Sequence, residues 1–397
     1  MAFCLSRVCQ TKFLIYSMSK LVSIQLCPDL NFLDSFRGLW GSFGFQDLDF
    51  SGAFESENYV LCNTARSGLG LLIDVWDLPK HKKIALPAFC CCVMATPFLS
   101  RGYEIAWIDV DDHGLLDPED LNKKIDQVSC VLVPHIFGQP ADLESIYKIS
   151  KKHDVKVIED GAHGWFGGFD HCDAKLLSFG REKYVSCGSG GAVIIHNEED
   201  IIHNKKLKKS GFVWTFRYLL YPAIWSTALK FWSVGGKGIS WLAGKLRLLP
   251  RAVTRAEKAG QEDVKPAKLA RGLQALLKYQ LEHLDRLESH RHKIADAWEE
   301  VLARLFPDAE IIRPLSSFRV ILKTDQAQKI RARAKQIGFD LREWDGMPIA
   351  PKGVNLQAFG YQEGSCPKAE HFAQNYVTFP TNRRTSLQDI LRFGKIY

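Results

Sequence analysis

Four short segments of this sequence set reactive side chains beside turn-forming residues. Lys183 ends Ser178-Phe179-Gly180-Arg181-Glu182-Lys183, a loop between two apolar runs that closes on Gly188-Ser189-Gly190-Gly191. A desolvated lysine near other cations is more often neutral, and a neutral amine can form a Schiff base with a carbonyl; the ordinary alternative is a solvated surface lysine. In Val157-Ile158-Glu159-Asp160-Gly161-Ala162-His163, an apolar run ends on two carboxylates with an imidazole nearby. That set suits a cationic ring, a metal or a general base, or simply a helix cap. Asn63-Thr64-Ala65-Arg66-Ser67-Gly68 leads an apolar run into a helical pattern. Free N–H groups and the helix dipole there can seat a phosphate; an N-cap is the plainer reading. His135-Ile136-Phe137-Gly138-Gln139-Pro140-Ala141-Asp142 makes a turn in which Gln139 could face a ligand or serve only the loop.

The elements that position these segments follow from periodicity. Short apolar runs at 59–62, 84–87, 104–108, 130–133, 155–158, 176–179 and 192–195 read as buried strands. Helical patterns at 67–76, 91–101, 118–125 and 143–153 alternate with them. This alternation predicts an α/β fold with a mostly parallel sheet, in which ligands bind at the carboxyl ends of the strands. The segments above stand at those ends. A phosphate seat, a strand-end aspartate and a loop lysine, in that chain order, make up the parts of a pyridoxal 5'-phosphate (PLP) site. The boundaries expected are an N-terminal arm at 1–56, a large PLP-binding α/β domain at 57–202 and an aromatic, basic helical insertion at 203–262. Connecting helices at 263–305 and a small α+β domain at 306–397 follow.

Composition narrows the function. The 397 residues carry a formal charge of +7, a mild excess, with no nucleic-acid-binding motif or long basic arm, so no nucleic acid partner is expected. Eleven cysteines, three of them adjacent at Cys90, Cys91 and Cys92, argue for a reducing compartment over a disulfide framework. No metal site is expected, because the Cys and His spacing fits none of the usual patterns. The N-terminus does not read as a signal peptide, and the longest uncharged stretches fall short of a spanning helix.

In combination the motifs LPAF at 86–89, HIFGQPAD at 135–142, VIEDGAH at 157–163 and SFGREK at 178–183 resemble the DegT/StrS-type nucleotide-sugar aminotransferases, PLP enzymes of fold type I. The likeness is good over 57–200 and weaker elsewhere. It implies Lys183 as the cofactor-bearing lysine and Asp160 as the partner of the pyridinium nitrogen. It also implies His163 near the cofactor ring, and Ser178 with the Ser67 and Gly68 amides on the phosphate. The activity implied is amino transfer, with glutamate as donor, to a nucleotide-linked keto-sugar, by a cytoplasmic homodimer. The sequence departs from the family at three places. Cys91 stands where an aromatic residue is usual, Ser189 where a Glu is usual, and Pro266-Ala267-Lys268-Leu269 replaces a motif containing Asn and Arg. Two rival readings keep these departures in view: a catalytically impaired PLP-binding regulator and a membrane-surface scaffold in envelope glycan assembly.

Segment 203–262 bears on the second rival. Trp214, Trp225, Trp232 and Trp241 alternate with Lys230, Lys237, Lys245, Arg247 and Arg251. Pro222 and the Gly235-Gly236 pair are expected to split the stretch into short helices that lie at the inner membrane surface or pack across a dimer.

Overall fold

The computed structural model describes residues 21–23, 29–44, 48–164, 170–196, 207–341, 344 and 346–397. Parts of the expected N-terminal arm and of 203–262, including Lys205 and Lys206, lie outside the described residues.

All seven expected strands form. In chain order they are β1 (Tyr59–Cys62), β2 (Lys83–Pro87), β3 (Ile105–Ile108), β4 (Val128–Pro134), β5 (Lys156–Asp160), β6 (Ala174–Ser178) and β7 (Gly191–Ile195). They lie in the spatial order β1-β7-β6-β5-β4-β2-β3, extended beyond β1 by the two-residue strands Ala267–Lys268 and Lys208–Lys209. Strands β2 to β6 pair parallel, while β7 pairs antiparallel with both β6 and β1. β4 is buried along its whole length, as a strand covered by helices on both faces must be. The sheet is therefore mixed but mostly parallel, and the carboxyl ends of β4, β5 and β6 open on one edge.

Around the sheet lie α1 (Phe32–Gly41), α2 (Ala65–Trp76), α3 (Phe212–Lys230), α4 (Lys237–Lys245), α5 (Arg271–Glu282) and α6 (Leu284–Leu305). Helices α1 and α5 cross closely because both present glycine: a Cβ on Gly41 would lie 2.3 Å from Ala275, and one on Gly272 would lie 2.4 Å from the Gly38 carbonyl. A separate apolar core joins α6 to the three-stranded antiparallel sheet Glu310–Ile312, Arg319–Lys323 and Tyr376–Pro380, with Trp298 fully buried at its centre.

Two local expectations need correction. Helix α3 runs unbroken through Pro222. A proline removes one backbone donor from a helix, but here it is buried and α3 packs against α1 and α5. The break comes at Gly235, whose φ of 154° no L-residue adopts easily. The stretch 91–101 forms only a 3-10 turn, Cys92–Met94, and the short helix Thr96–Leu99. Cys90–Cys91 is instead a strand paired with Ile349–Ala350. Within 263–305, α5 and α6 meet at His283.

Candidate active site

The strand ends converge on one cavity of about 580 Å³. Alternation along β5 separates its two carboxylates. Glu159 is buried within the fold, where its oxygens meet Lys175 Nζ and His135 Nε2, each at 3.1 Å. Asp160 lines the cavity. Its Oδ1 accepts from the Ala162 amide at 2.9 Å, and no ion pair engages it among the described residues. Burial pushes its carboxyl up from the usual range, opposed by the Lys183 charge and the Ala162 amide. A buried carboxylate of this kind is stabilised by a cationic donor brought into the cavity.

His163 follows three residues later and is buried. Its Nδ1 accepts from the Phe137 amide at 3.2 Å, so the ring proton belongs on Nε2. Nε2 lies 3.1 Å from Lys183 Nζ. Burial, then the charges of Lys183 and Arg319, push the imidazole pKa well below its ordinary value and keep the ring neutral. Nε2 thus faces the lysine nitrogen within hydrogen-bond distance and positions it in the cavity. The turn 136–138 aims the Phe137 amide. Phe137 has a φ of 55°, and Gly138, at φ 88°, has no room for a Cβ, which would lie 2.0 Å from Ser316 Oγ.

Lys183 stands in the connection from β6 to β7. The turn is closed by its own amide on the Gly180 carbonyl at 3.2 Å and by Phe179 on Gly190 at 2.9 Å. Ser178, the last residue of β6, lines the cavity. The start of α2 supplies Thr64, Ala65 and Arg66 to the lining. The first-turn amides of Ala65 and Arg66 have no intrahelical carbonyl to bond, so they are free for an anion.

Ser67 and Gly68 do not line the cavity. Ser67 is fully buried: its hydroxyl donates to Asn63 Oδ1 at 2.7 Å and its amide to Thr64 Oγ1 at 3.2 Å, closing a capping box. Gly68 faces the sheet, where a Cβ would lie 2.8 Å from Val193. The helix begins at Ala65, two residues before the expected pattern, and its cavity-facing residues are Thr64, Ala65 and Arg66. Gln139, away from the cavity, donates to the His113 carbonyl, and Ser189, which lines it, donates to the Asn63 carbonyl.

Other lining residues carried no local signal. Tyr218, Tyr221 and Trp225 reach the cavity from α3 at the i, i+3, i+7 spacing of one helix face, with residues 249–253 closing over it. Two arginines pin this roof to the floor. Arg181 donates to the Pro250 carbonyl and lies 4.9 Å from the Tyr221 ring centre. Arg66 donates to Ala252 at 3.2 Å and pairs with the buried Glu257 at 2.6 Å. Cys91 also lines the cavity; the Cys92 thiol, against burial and helped by the Val93 amide and the charges of Lys183 and Arg66, draws its pKa below that of an ordinary thiol. Trp344 contributes an aromatic ring from the far end of the chain, 5.1 Å from Phe137 and 6.0 Å from His163.

The donor set fits PLP. The cavity gathers a lysine amine, a buried carboxylate suited to a protonated ring nitrogen, and a hydroxyl with free helix amides suited to a phosphate.

Comparison with known proteins agrees with this geometry. Residues 47–220 match the model of the DegT/DnrJ/EryC1/StrS aminotransferase family. The chain is 24% identical over 390 residues to a dTDP-3-amino-3,4,6-trideoxy-alpha-D-glucose transaminase of Streptomyces venezuelae, covering 91% of this chain and 87% of that one. Its fold is similar to that of Helicobacter pylori PseC, an aminotransferase involved in the biosynthesis of pseudoaminic acid. That match has a TM-score of 0.68, 16% identity and coverage of 95% and 96% of the two chains. It is similar too to the E. coli GDP-4-keto-6-deoxy-D-mannose-3-dehydratase with bound hydrated PLP, with a TM-score of 0.65, 16% identity and coverage of 93% and 99%. Residues 47–220 thus match a DegT/DnrJ/EryC1/StrS aminotransferase domain, on an α/β framework similar to that of these structures.

Proposed function

We propose that this chain, through that domain, is a PLP-dependent sugar aminotransferase that moves an amino group from an amino acid, glutamate in the first instance, to a nucleotide-linked keto-sugar. The observation that carries the reading is Lys183 Nζ at 3.1 Å from the donor Nε2 of a neutral His163, in the cavity that Asp160 also lines. PLP, when bound, supplies the electron sink for breaking a bond at the amino acid Cα. Lys183 Nζ holds the cofactor at rest and, once displaced by the donor, takes and returns the Cα proton. Asp160 keeps a proton on the ring nitrogen through a charge-assisted hydrogen bond. Ser178 and the Ala65 and Arg66 amides hold the phosphate, and His163 positions the lysine amine. The roof over 249–253, with Tyr221 and Trp225, excludes water and bounds the sugar.

The dehydratase among the structural relatives shares the fold, so fold alone does not choose the chemistry; the cavity lysine favours transamination. The reading includes a homodimer, supported by the apolar outer face of α1, where Phe32, Leu33, Phe36 and Trp40 stand exposed. Lys268, exposed beside β1, would reach the second subunit. It also includes a peripheral contact of 203–262 with the inner membrane surface. No helix among the described residues is long and apolar enough to cross a membrane. Incubating PLP-loaded protein with glutamate and a panel of keto-sugar nucleotides tests the activity. Formation of 2-oxoglutarate with an amino-sugar nucleotide is expected; loss of water from the sugar with no amine gained would select the dehydratase reading instead.

A further inference from the structure

Helix α3 is apolar on every side: Arg217 and Lys230 are its only charged residues. One face, with Tyr218, Tyr221 and Trp225, serves the cavity. Away from it Phe212 and Val213 are 82% and 69% exposed, and the exposure continues through Val234 at 80% and, past the Gly235 break, to Trp241 at 60% and Leu246 at 61%. Large side chains left this wet mark a surface with a partner.

Charge identifies the partner. From residue 201 to 256 the sequence contains no aspartate or glutamate. Lys230, Lys237, Lys245, Arg247 and Arg251 are exposed in this segment. The cations sit among the aromatics. Lys245 Nζ lies 4.4 Å from the Trp241 ring centre, Lys230 Nζ 5.7 Å from that of Phe231 and Lys237 Nζ 5.8 Å from that of Trp232. A second copy meeting this face across a two-fold axis would bring the same unbroken positive charge against it. Helices bearing tryptophan and basic residues on one surface, neither of them long and apolar enough to span, suit the headgroup boundary of an anionic bilayer.

We propose that the outer face of α3 and α4 is a monotopic dock for anionic phospholipid. This specifies the membrane contact included in the functional reading above, and it places the cavity wall one helix, about 10 Å, from the headgroups. The dock stands apart from the chemistry at Lys183: a failed aminotransferase assay leaves vesicle binding in place, and failed vesicle binding leaves the assay in place.

The test is flotation of full-length, PLP-loaded protein with vesicles of phosphatidylcholine alone or with phosphatidylglycerol. Binding only to the anionic vesicles, reversed by salt, is expected. Two triple variants follow, Trp241→Ser with Leu242→Ser and Leu246→Ser, and Lys237→Glu with Lys245→Glu and Arg247→Glu. The charge variant should lose roughly a hundredfold in partitioning, about fivefold for each basic residue removed and more for reversal, while retaining its visible cofactor absorbance. Wild type that stays with the protein fraction overturns the proposal, as does undiminished flotation of both folded variants. If instead the variants only lower the oligomeric state and no form floats, the face joins copies of this chain and the dock is refuted.

Discussion

Floor and roof of the cavity are held in place by different means. On the floor, Asp160 and Ser178 are the last residues of parallel strands, and Lys183 and His163 lie within five residues of them. Sheet hydrogen bonds fix their backbone, and each side chain is aimed by a local contact such as the Phe137 amide on His163. Over them, Tyr218, Tyr221, Trp225 and residues 249–253 come from a segment pinned by side chains, chiefly Arg181 on Pro250 and Arg66 on Ala252. A rigid floor with a side-chain-tethered roof divides the labour: chemistry below, substrate retention above.

Substitutions on the floor should therefore change turnover, and substitutions in the roof should change affinity. The largest effect belongs to Lys183→Ala, which removes the amine placed against His163. Turnover should fall below detection while the circular dichroism spectrum is unchanged; residual turnover above a few per cent would break the assignment. Asp160→Asn keeps the shape and loses the charge. A charge-assisted hydrogen bond of about 3 kcal/mol corresponds to roughly a 150-fold loss in kcat, with PLP still bound by absorbance. Arg181→Ala frees the roof. About 1.5 kcal/mol for one lost hydrogen bond predicts roughly a tenfold rise in sugar KM with kcat little changed. A fall in kcat as large as that of Asp160→Asn would erase the distinction.

The smallest effect is on stability. The folded-state pKa of His163 lies well below its unfolded value of about 6.5. A depressed histidine contributes stability that is present above the unfolded pKa and lost as pH falls toward the folded one. Urea midpoints should drop as pH falls below about 6.5, and His163→Gln should flatten that slope. An unchanged slope would place the sensitivity elsewhere.

The same division explains what could be read from sequence. Floor strands are short buried apolar runs, and all seven were legible because burial on both faces demands such runs. That Asp160, His163, Ser178 and Lys183 would meet in one cavity was legible because residues at strand ends are local in sequence. Within α2 the offset was too fine for pattern: Thr64 caps the helix, and the cap consumes the Ser67 amide expected on the phosphate. Glu159 and Asp160 were separated only by the register of β5. Roof residues were not legible, because Trp225 and Trp344 reach the cavity by tertiary contact alone, and Pro222 read as a break where packing carries the helix through. Cys91 was noticed as a departure, but not its place in a strand paired with Ile349–Ala350.

The central claim is that Lys183 carries the cofactor. Borohydride reduction of the PLP-loaded wild type, followed by proteolysis and mass spectrometry, tests it without need of the sugar substrate. The account predicts one phosphopyridoxyl group per chain, on the peptide containing Lys183, and none in Lys183→Ala. A label on any other lysine, or loaded protein that takes up no label, would contradict it.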